Sequence, residues 1–267
     1  MISGNLLGCG RTAKVFALDD GKIAKVFCTG CEQATADYEH KVSRAVASSG
    51  LPVPQVHGLA TVNGCHAIIY ERIDGPTMLQ TLLSQPGSVS DIAQQLAELQ
   101  HRVHACRVDG LPPKREALQR TILRAKLTPS LERKVLALLN RLPDGEALCH
   151  GDFHPGNIIL SKRGPVLIDW NDASSGHPLA DAARTALLLQ TAAIPGEEQQ
   201  LRPVQQQLHD IYLEHYLYLS SHTRQELEDW QIPVAAARLA EGVPGERESL
   251  LSLLAERVEY CASARTT

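Results

Sequence analysis

The sequence predicts an α+β fold in two lobes: a small antiparallel sheet with one helix at the N-terminal end, then a larger, mostly helical lobe. Three observations lead there. Residues 1–70 are rich in β-branched runs and carry two hairpin signals, Asp20-Gly21 and Asn63-Gly64. From about residue 89 onward the apolar spacing turns helical and stays so for most of the chain. Between the two textures stands Ile73-Asp74-Gly75-Pro76, a natural hinge. We therefore place the boundary between residues 72 and 73, giving lobes of 1–72 and 73–267.

In the first lobe, Asp20-Gly21 joins Val15–Leu18 to Ile23–Phe27, and Asn63-Gly64 joins Val56–Val62 to Cys65–Tyr70. Residues 33–48 show helical spacing closed by Gly50, and Leu51-Pro52-Val53-Pro54 is extended. The expected order is strand, strand, helix, strand, strand. In the second lobe helices are expected at about 89–107, 114–125, 129–141, 178–191 and 198–219, with two more near the C-terminus. One break interrupts them. Ala147–His150 leads into a loop, and Ile158–Leu160 and Val166–Asp169 flank Arg163-Gly164 as a short hairpin.

Composition narrows the function. With 267 residues, 43% of them apolar, the chain has room for a sizeable core. Its net charge of −4 and the lack of a long Lys/Arg run argue against a nucleic-acid partner. Apolar runs such as Ala186–Leu189 are far shorter than the roughly 20 residues of a membrane span, so no membrane partner is expected and the location is expected to be cytoplasmic. Seven scattered cysteines fit reduced thiols. Cys28 and Cys31 form a C-x-x-C pair without a second half to complete a zinc site, and read as a turn after a strand.

The chemistry gathers in His150-Gly151-Asp152-Phe153-His154-Pro155-Gly156-Asn157 and in Val166-Leu167-Ile168-Asp169. An Asp, an Asn five residues on and an Asp ending an apolar strand suit phosphoryl transfer, which needs a carboxylate to orient a hydroxyl and oxygen ligands for magnesium. Upstream, Gly8-Cys9-Gly10-Arg11-Thr12-Ala13-Lys14-Val15 is a G-x-G-x-x-A-x-V string. Its glycines would let backbone approach phosphate oxygens, and Val15 could cover an adenine ring. Lys25 shares a strand face with Ile23 and Phe27, and a cation on an apolar face needs a partner. Glu39, on the same helix face as Val42 and Val46, can be that partner.

Taken in order, these motifs resemble the aminoglycoside phosphotransferase and choline kinase branch of the protein-kinase-like superfamily, over nearly the whole chain. The family's H-G-D-x-x-x-x-N loop stands at His150–Asn157, its strand-end I-D at Ile168-Asp169, and its lysine and helix glutamate at Lys25 and Glu39. Gly176-His177-Pro178-Leu179-Ala180-Asp181-Ala182 is similar to its G-x-P-x-x-D-x-A signature, in which the aspartate braces the catalytic loop. Two positions depart: Ala13 replaces the third glycine, and Asn171 stands where a protein kinase has glycine. His154 reads as a loop-bracing histidine rather than a metal ligand.

The resemblance implies a kinase-like fold and a small-molecule kinase that uses ATP and Mg2+. Its acceptor would be a hydroxyl of an aminoglycoside-, choline- or sugar-like molecule. Asp152 would be catalytic, and Asn157 and Asp169 would hold the metal. Gly8, Gly10, Val15, Lys25 and Glu39 would serve the nucleotide, with backbone at Glu71 and Ile73 meeting the adenine edge. A protein kinase is a weaker alternative, because the stretch from Asp169 to Pro178 is too short for an activation segment. A catalytically silent nucleotide-binding module is weaker too, because Lys25, Asp152, Asn157 and Asp169 are all present. From residue 191 onward there are 12 acidic and six basic residues. That excess suggests either a solvated acidic helix surface, the slightly favoured reading, or an acceptor pocket suited to an amine.

Overall fold

Both Asp/Asn-Gly dipeptides make the turns their chemistry favours. Asp20 and Gly21 have φ of 63° and 67°, and Asn63 and Gly64 have 51° and 79°, so both central residues of each turn lie in the left-handed region. That backbone twist matches the right-handed twist of the strands it joins. The computed structural model in which these turns are seen describes residues 5–10, 12–28, 33–191 and 198–263.

The chain divides into two compact units. One comprises Met1–Leu83, Val108–Gly110 and Pro155–Ala173; the other comprises Ser84–Arg107, Leu111–His154 and Ser174–Thr267. The first unit is built on an antiparallel sheet of β1 (Leu6–Cys9), β2 (Ala13–Ala17), β3 (Lys22–Phe27), β4 (Val56–Val62) and β5 (Cys65–Glu71), in spatial order β1-β2-β3-β5-β4. Helix α1 (Gln33–Ala47) lies against it. Strand alternation sorts the two faces. Phe27, Ala13 and Ile68 pack with Ala36 of α1, while Ala24, Val26 and Ala67 pack with Phe16 and Ile69 on the other face. Lys25, two residues before Phe27, therefore points to the α1 side.

Two features of this unit differ from the sequence reading. Strand β1 adds a fifth strand at the N-terminal edge, so Gly8 sits inside a strand opposite Val15, and the turn falls around Gly10. The short helix α2 (Met78–Ser84) follows the hinge, with Met78 and Leu82 buried. The unit also takes in a later stretch of chain, the hairpin of β7 (Ile158–Ser161) and β8 (Gly164–Leu167). Backbone bonds attach it: Leu160 N–H donates to Pro76 O at 2.8 Å and Leu167 N–H to Pro52 O at 2.8 Å.

The second unit is helical: α3 (Val89–His104), α4 (Lys114–Ile122), α5 (Pro129–Leu139), α6 (Pro178–Thr191), α7 (Glu198–Ser220), α8 (Arg224–Leu239) and α9 (Arg247–Ser263). Helix α3 turns Ile92, Leu96, Leu99 and Val103 inward at three- and four-residue spacing and packs along α7. Each such buried side chain contributes about 1.5–3 kcal/mol. A two-stranded ribbon of β6 (Ala147–Cys149) and β9 (Ser174–Gly176) brings the segment entering the His150 loop beside the segment entering α6. Among the described residues no helix is long and apolar enough to cross a membrane.

Within the first unit, Gly75 packs closely against the β7–β8 hairpin. Its φ is 151°, and a Cβ there would lie 2.2 Å from Leu160 O and 2.9 Å from Leu160 C. Gly75→Ala should lower stability in urea unfolding by about 2–4 kcal/mol. Gly21→Ala has a left-handed φ but open space around it, and should cost only about 1 kcal/mol. Equal midpoints for the two variants would remove the close approach at Gly75 as a constraint on the fold.

Candidate functional site

The first unit presents a lysine shared by two carboxylates. Lys25 Nζ donates to Glu39 Oε1 at 2.7 Å and to Asp169 Oδ1 at 2.8 Å. Register puts it there: Lys25 lies opposite Val15 on β2 and Ile68 on β5, in the middle of the sheet and facing α1. Glu39 is 4% exposed and is pinned again by Tyr70, whose hydroxyl donates to Glu39 Oε1 at 3.2 Å and pairs with Ser43 Oγ at 2.9 Å. Burial disfavours the ammonium of Lys25, but Glu39 and Asp169 outweigh it and hold its pKa above the usual value. Burial pushes Glu39 up despite Lys25, as expected where two carboxylates share one cation.

The β7–β8 hairpin delivers Asn157 and Asp169 together. Its register pairs Ile158 with Leu167, so the residues just outside the pair, Asn157 and Ile168, are neighbours; Ile168 N–H donates to Asn157 O at 3.0 Å. Asp169 follows with φ 66°, an unusual conformation for a non-glycine residue and one that accumulates at functional positions. A carboxylate and a side-chain amide are hard oxygen donors of the kind that would fit Mg2+.

At the hinge, Glu71 N–H donates to Gln55 O at 2.8 Å and Arg72 N–H to Gly21 O at 2.8 Å. The Glu71 side chain accepts from Arg163 Nη2 at 2.6 Å and from Gln55 N at 3.2 Å. Ile73 is half-buried just beyond. Val15 is half-buried on β2, and Gly10 N–H closes its turn onto Ala13 O at 2.9 Å. Arg11 lies outside the described residues, as does Cys31; Cys28 is an exposed free thiol.

In the second unit the loop His150–His154 hangs on one buried carboxylate. Asp181, 1% exposed in the first turn of α6, accepts from Gly151 N at 2.7 Å and from His150 N at 3.0 Å. It also accepts from Gln100 Nε2 at 3.2 Å and His104 Nε2 at 3.2 Å, with Lys114 Nζ at 3.9 Å. Because an ionised carboxylate only accepts, His104 carries its proton on Nε2, and its Nδ1 meets the Tyr216 hydroxyl at 2.6 Å. Gln100 reaches Thr185 Oγ1 at 2.9 Å and receives the Tyr212 hydroxyl on Oε1. Asp181 thus braces the loop, as the motif implies. Burial would raise its pKa, but the His104 bond and the Lys114 charge hold its carboxyl far below the usual range.

Asp152 itself is half-buried, with its N–H on His150 Nδ1 at 3.3 Å. His154 Nε2 stands 3.5 Å from its Oδ2 and Arg184 Nη2 stands 3.4 Å from its Oδ1. Burial alone would raise its pKa; His154 first, then Arg184 and His150, bring it well below the usual carboxylate range. His154 is therefore a neighbour of Asp152 in the loop, in keeping with a bracing histidine.

Gln100, His104, Lys114, Tyr70 and Arg184 were not singled out from the sequence. A signal existed for two of them: Gln100 and His104 are polar residues spaced four apart on the apolar face of α3, beside Leu96 and Val103. The acidic surplus beyond residue 191 also finds its use. Glu226 caps α8, Glu228 pairs with Arg257 at 3.4 Å, and Asp210 takes Gln206 and His209 at 2.9 Å.

Asp181→Ala should lower stability by about 3–5 kcal/mol, because the loop amides and His104 would lose a shared buried partner. Faster hydrogen exchange at the His150 and Gly151 amides should accompany it. A carboxylate with a depressed folded pKa contributes stability above its unfolded pKa, near 3.9, and loses it as the pH falls below. Acid unfolding below about pH 4 should therefore be less steep in the variant than in the parent. An identical acid limb in both would remove Asp181 as its source.

Comparison with known proteins agrees with this arrangement. The profile of the Phosphotransferase enzyme family, APH, matches residues 6–230. Among curated proteins, Acyl-CoA dehydrogenase family member 11 of Gallus gallus is 29% identical over 176 residues, covering 55% of this chain and 22% of that protein. The Homo sapiens protein of the same name is 24% identical over 176 residues, 57% of this chain and 23% of that protein. The chain thus spans about a fifth of the length of these relatives. Among solved structures, aminoglycoside phosphotransferase APH(4)-Ia superposes with a TM-score of 0.66 at 17% identity, over 97% of this chain and 92% of that one. A choline/ethanolamine kinase family protein from Mesorhizobium loti gives 0.55 at 16% identity, over 99% and 88%. The APH(2")-IIa chain of a ternary complex with streptomycin and ATP gives 0.59 at 16%, over 96% and 91%. With the sheet, the shared lysine, the Asn157/Asp169 hairpin and the braced Asp152 loop in place, the chain belongs to the APH phosphotransferase enzyme family.

Proposed function

We propose that the protein transfers the γ-phosphoryl group of ATP to a hydroxyl of a small molecule. The observation that carries this reading is Lys25, held at 2.7 Å by Glu39 and 2.8 Å by Asp169. A lysine clamped by a buried helix glutamate is an anchor for phosphate oxygens, and Asp169 is tied through the hairpin to Asn157. Structures of similar fold, among them APH(2")-IIa in a ternary complex with streptomycin and ATP, support a small hydroxylated acceptor.

In this reading residues 1–72 are the nucleotide-binding lobe, and 73–267 supply the catalytic loop and the acceptor site. Lys25 binds the α- and β-phosphate oxygens, and Glu39 and Tyr70 keep it in place. Gly8, Gly10 and Val15 cover the nucleotide. With the N–H groups of Glu71 and Arg72 already used, the adenine edge meets the carbonyl of Glu71 and the N–H of Ile73. Asn157 and Asp169 hold Mg2+, which neutralises charge on the phosphate oxygens. Asp152 accepts the hydrogen bond of the acceptor hydroxyl and points its oxygen at the γ-phosphorus. The new P–O bond forms as the bond to the β-phosphate oxygen breaks, ADP leaves with that electron pair, and the hydroxyl proton passes to Asp152.

ADP release should rise above the level of ATP alone when aminoglycosides, choline or sugars are supplied, and not with casein-like peptides. Stimulation by peptides alone would favour a protein kinase, and none by any acceptor would favour a silent module. Asp152→Asn should lower kcat by about 10²- to 10⁴-fold with little change in nucleotide affinity. Asp169→Ala should instead abolish Mg2+-dependent ATP binding by calorimetry. Lys25→Ala and Glu39→Ala should each lower kcat/KM for ATP, and the double variant should fall well short of the product of the two losses. Fully multiplicative losses would mean the pair does not act as a unit.

A further inference from the structure

Asp152 stands at the end of a chain of alternating charges. Arg184 of α6 faces its Oδ1 at 3.4 Å and places Nη1 on Glu241 Oε1 at 2.5 Å and Nη2 on Glu241 Oε2 at 3.4 Å. Glu241 also receives Nη1 of Arg238, and Arg238 forks onto Glu246 with Nε to Oε2 at 2.7 Å and Nη2 to Oε1 at 2.9 Å. The series Asp152, Arg184, Glu241, Arg238, Glu246 thus runs from the loop through α6 to the end of α8 and the start of α9. Its inner members are mostly covered: side-chain exposure is 15% for Arg184, 23% for Glu241 and 10% for Arg238, and the terminal Glu246 is at 6%.

The phosphoryl-transfer chemistry leaves Arg184 without a task, yet its placement is costly unless it has one. Pinning the α8–α9 turn needs only the Arg238 fork on Glu246 together with Glu241. Arg184 shares its Nη2 between Asp152 and Glu241 while Nη1 stays on Glu241, and the contact with Asp152 is what a purely structural pin would not need. A planar guanidinium held by two oxygens of one glutamate cannot swing, so the group it faces meets a fixed positive charge. The groups facing Asp152 are Arg184 from α6 and His154 and His150 from its own loop. Of these only the arginine is charged at every working pH.

We infer that Arg184 is a positioning residue for Asp152, and that Glu241 and Arg238 act on the same carboxylate through it. The inference rests on the reading of Asp152 as the hydroxyl-orienting carboxylate. Arg184 sets which way the carboxylate faces and, after His154, adds to what holds it ionised, so that it orients the hydroxyl and takes its proton late. Glu241 never touches Asp152, yet its loss is felt there because Arg184 is then free to rotate.

The test uses the full chain labelled with ¹³C at aspartate Cγ, the Asp152 resonance being assigned by its disappearance in Asp152→Asn. In the parent the resonance should stay that of an ionised carboxylate from pH 7 down to pH 4. In Arg184→Gln its midpoint should rise by a unit or more, with Arg184→Lys between the two and Glu241→Gln shifted in the same direction by less. An unchanged midpoint in both Arg184→Gln and Glu241→Gln overturns the inference, whatever the enzyme does; Glu241→Gln serves alone if Arg184→Gln does not fold. The kinetic arm uses Mg2+-ATP with water as acceptor. There kcat should fall about tenfold in Arg184→Gln, KM for ATP should hold within twofold, and Arg184→Lys should recover part of the loss. A fall in ATP affinity with unchanged kcat would also overturn it. If the parent turns over no ATP with water or with any aminoglycoside, choline or sugar acceptor while the resonance behaves as described, the phosphotransferase reading fails and the placement of Asp152 by Arg184 stands.

Discussion

A carboxylate stripped of water is among the most demanding groups a fold can carry, and Asp181 makes the second unit depend on meeting that demand. At 1% exposure it needs hydrogen bonds on both oxygens, and it finds them in the His150 and Gly151 amides, Gln100 and His104. The donors come from three places in the chain: the loop after β6, and two successive turns of α3. Satisfying one charge therefore fixes the loop against both α3 and α6. Tyr212 and Tyr216 on α7 satisfy Gln100 and His104 in turn, so the polar groups form one connected set rather than separate pairs. A network of this kind rigidifies what it touches, and what it touches is the backbone immediately before Asp152.

The first unit solves a different problem with the same currency. Lys25 cannot leave the face shared with Phe27 without breaking the β2–β3–β5 register, so its charge must be met where it is. Glu39 meets it from α1, and Asp169 from the end of the β7–β8 hairpin. Burial pushes Glu39 up, and Asp169, sharing the same cation, adds to it, even while Lys25 is held above its usual value. Tyr70 relieves that competition by donating to Glu39 from β5. Under the proposed function, an incoming phosphate would add a further claim on the same ammonium.

Much of this was legible in the sequence wherever one residue type has one physical use. The Asp-Gly and Asn-Gly turns are such places, and so are the Asp181 signature, the Lys25 alternation and the long helices with three- and four-residue spacing. What was not legible needed partners distant along the chain. Strand β1 is four residues long with Gly8 inside it, too short and too weak in β-propensity to stand out until β2 pairs with it. Helix α2 has seven residues, less than two full turns, and shows no period. Strands β6 and β9 have three residues each and exist because they pair. Arg184 and Arg238 are ordinary helix residues and Glu241 an ordinary turn residue by pattern; only the tertiary contact gives them a common subject.

The same contrast bears on the acidic surplus of the C-terminal part. Net charge over a segment says how many carboxylates it holds but nothing of how they are used. Glu226 is consumed by a helix cap, Glu228 and Asp210 by local pairs, and Glu241 and Glu246 by two arginines. The carboxylates beside the Asp152 loop are thus the ones most fully neutralised. A cationic acceptor would have to displace Arg184 or Arg238 to reach them, trading one buried ion pair for another. These five carboxylates are therefore engaged within the protein, two of them in buried or half-buried arginine pairs rather than on a solvated helix surface.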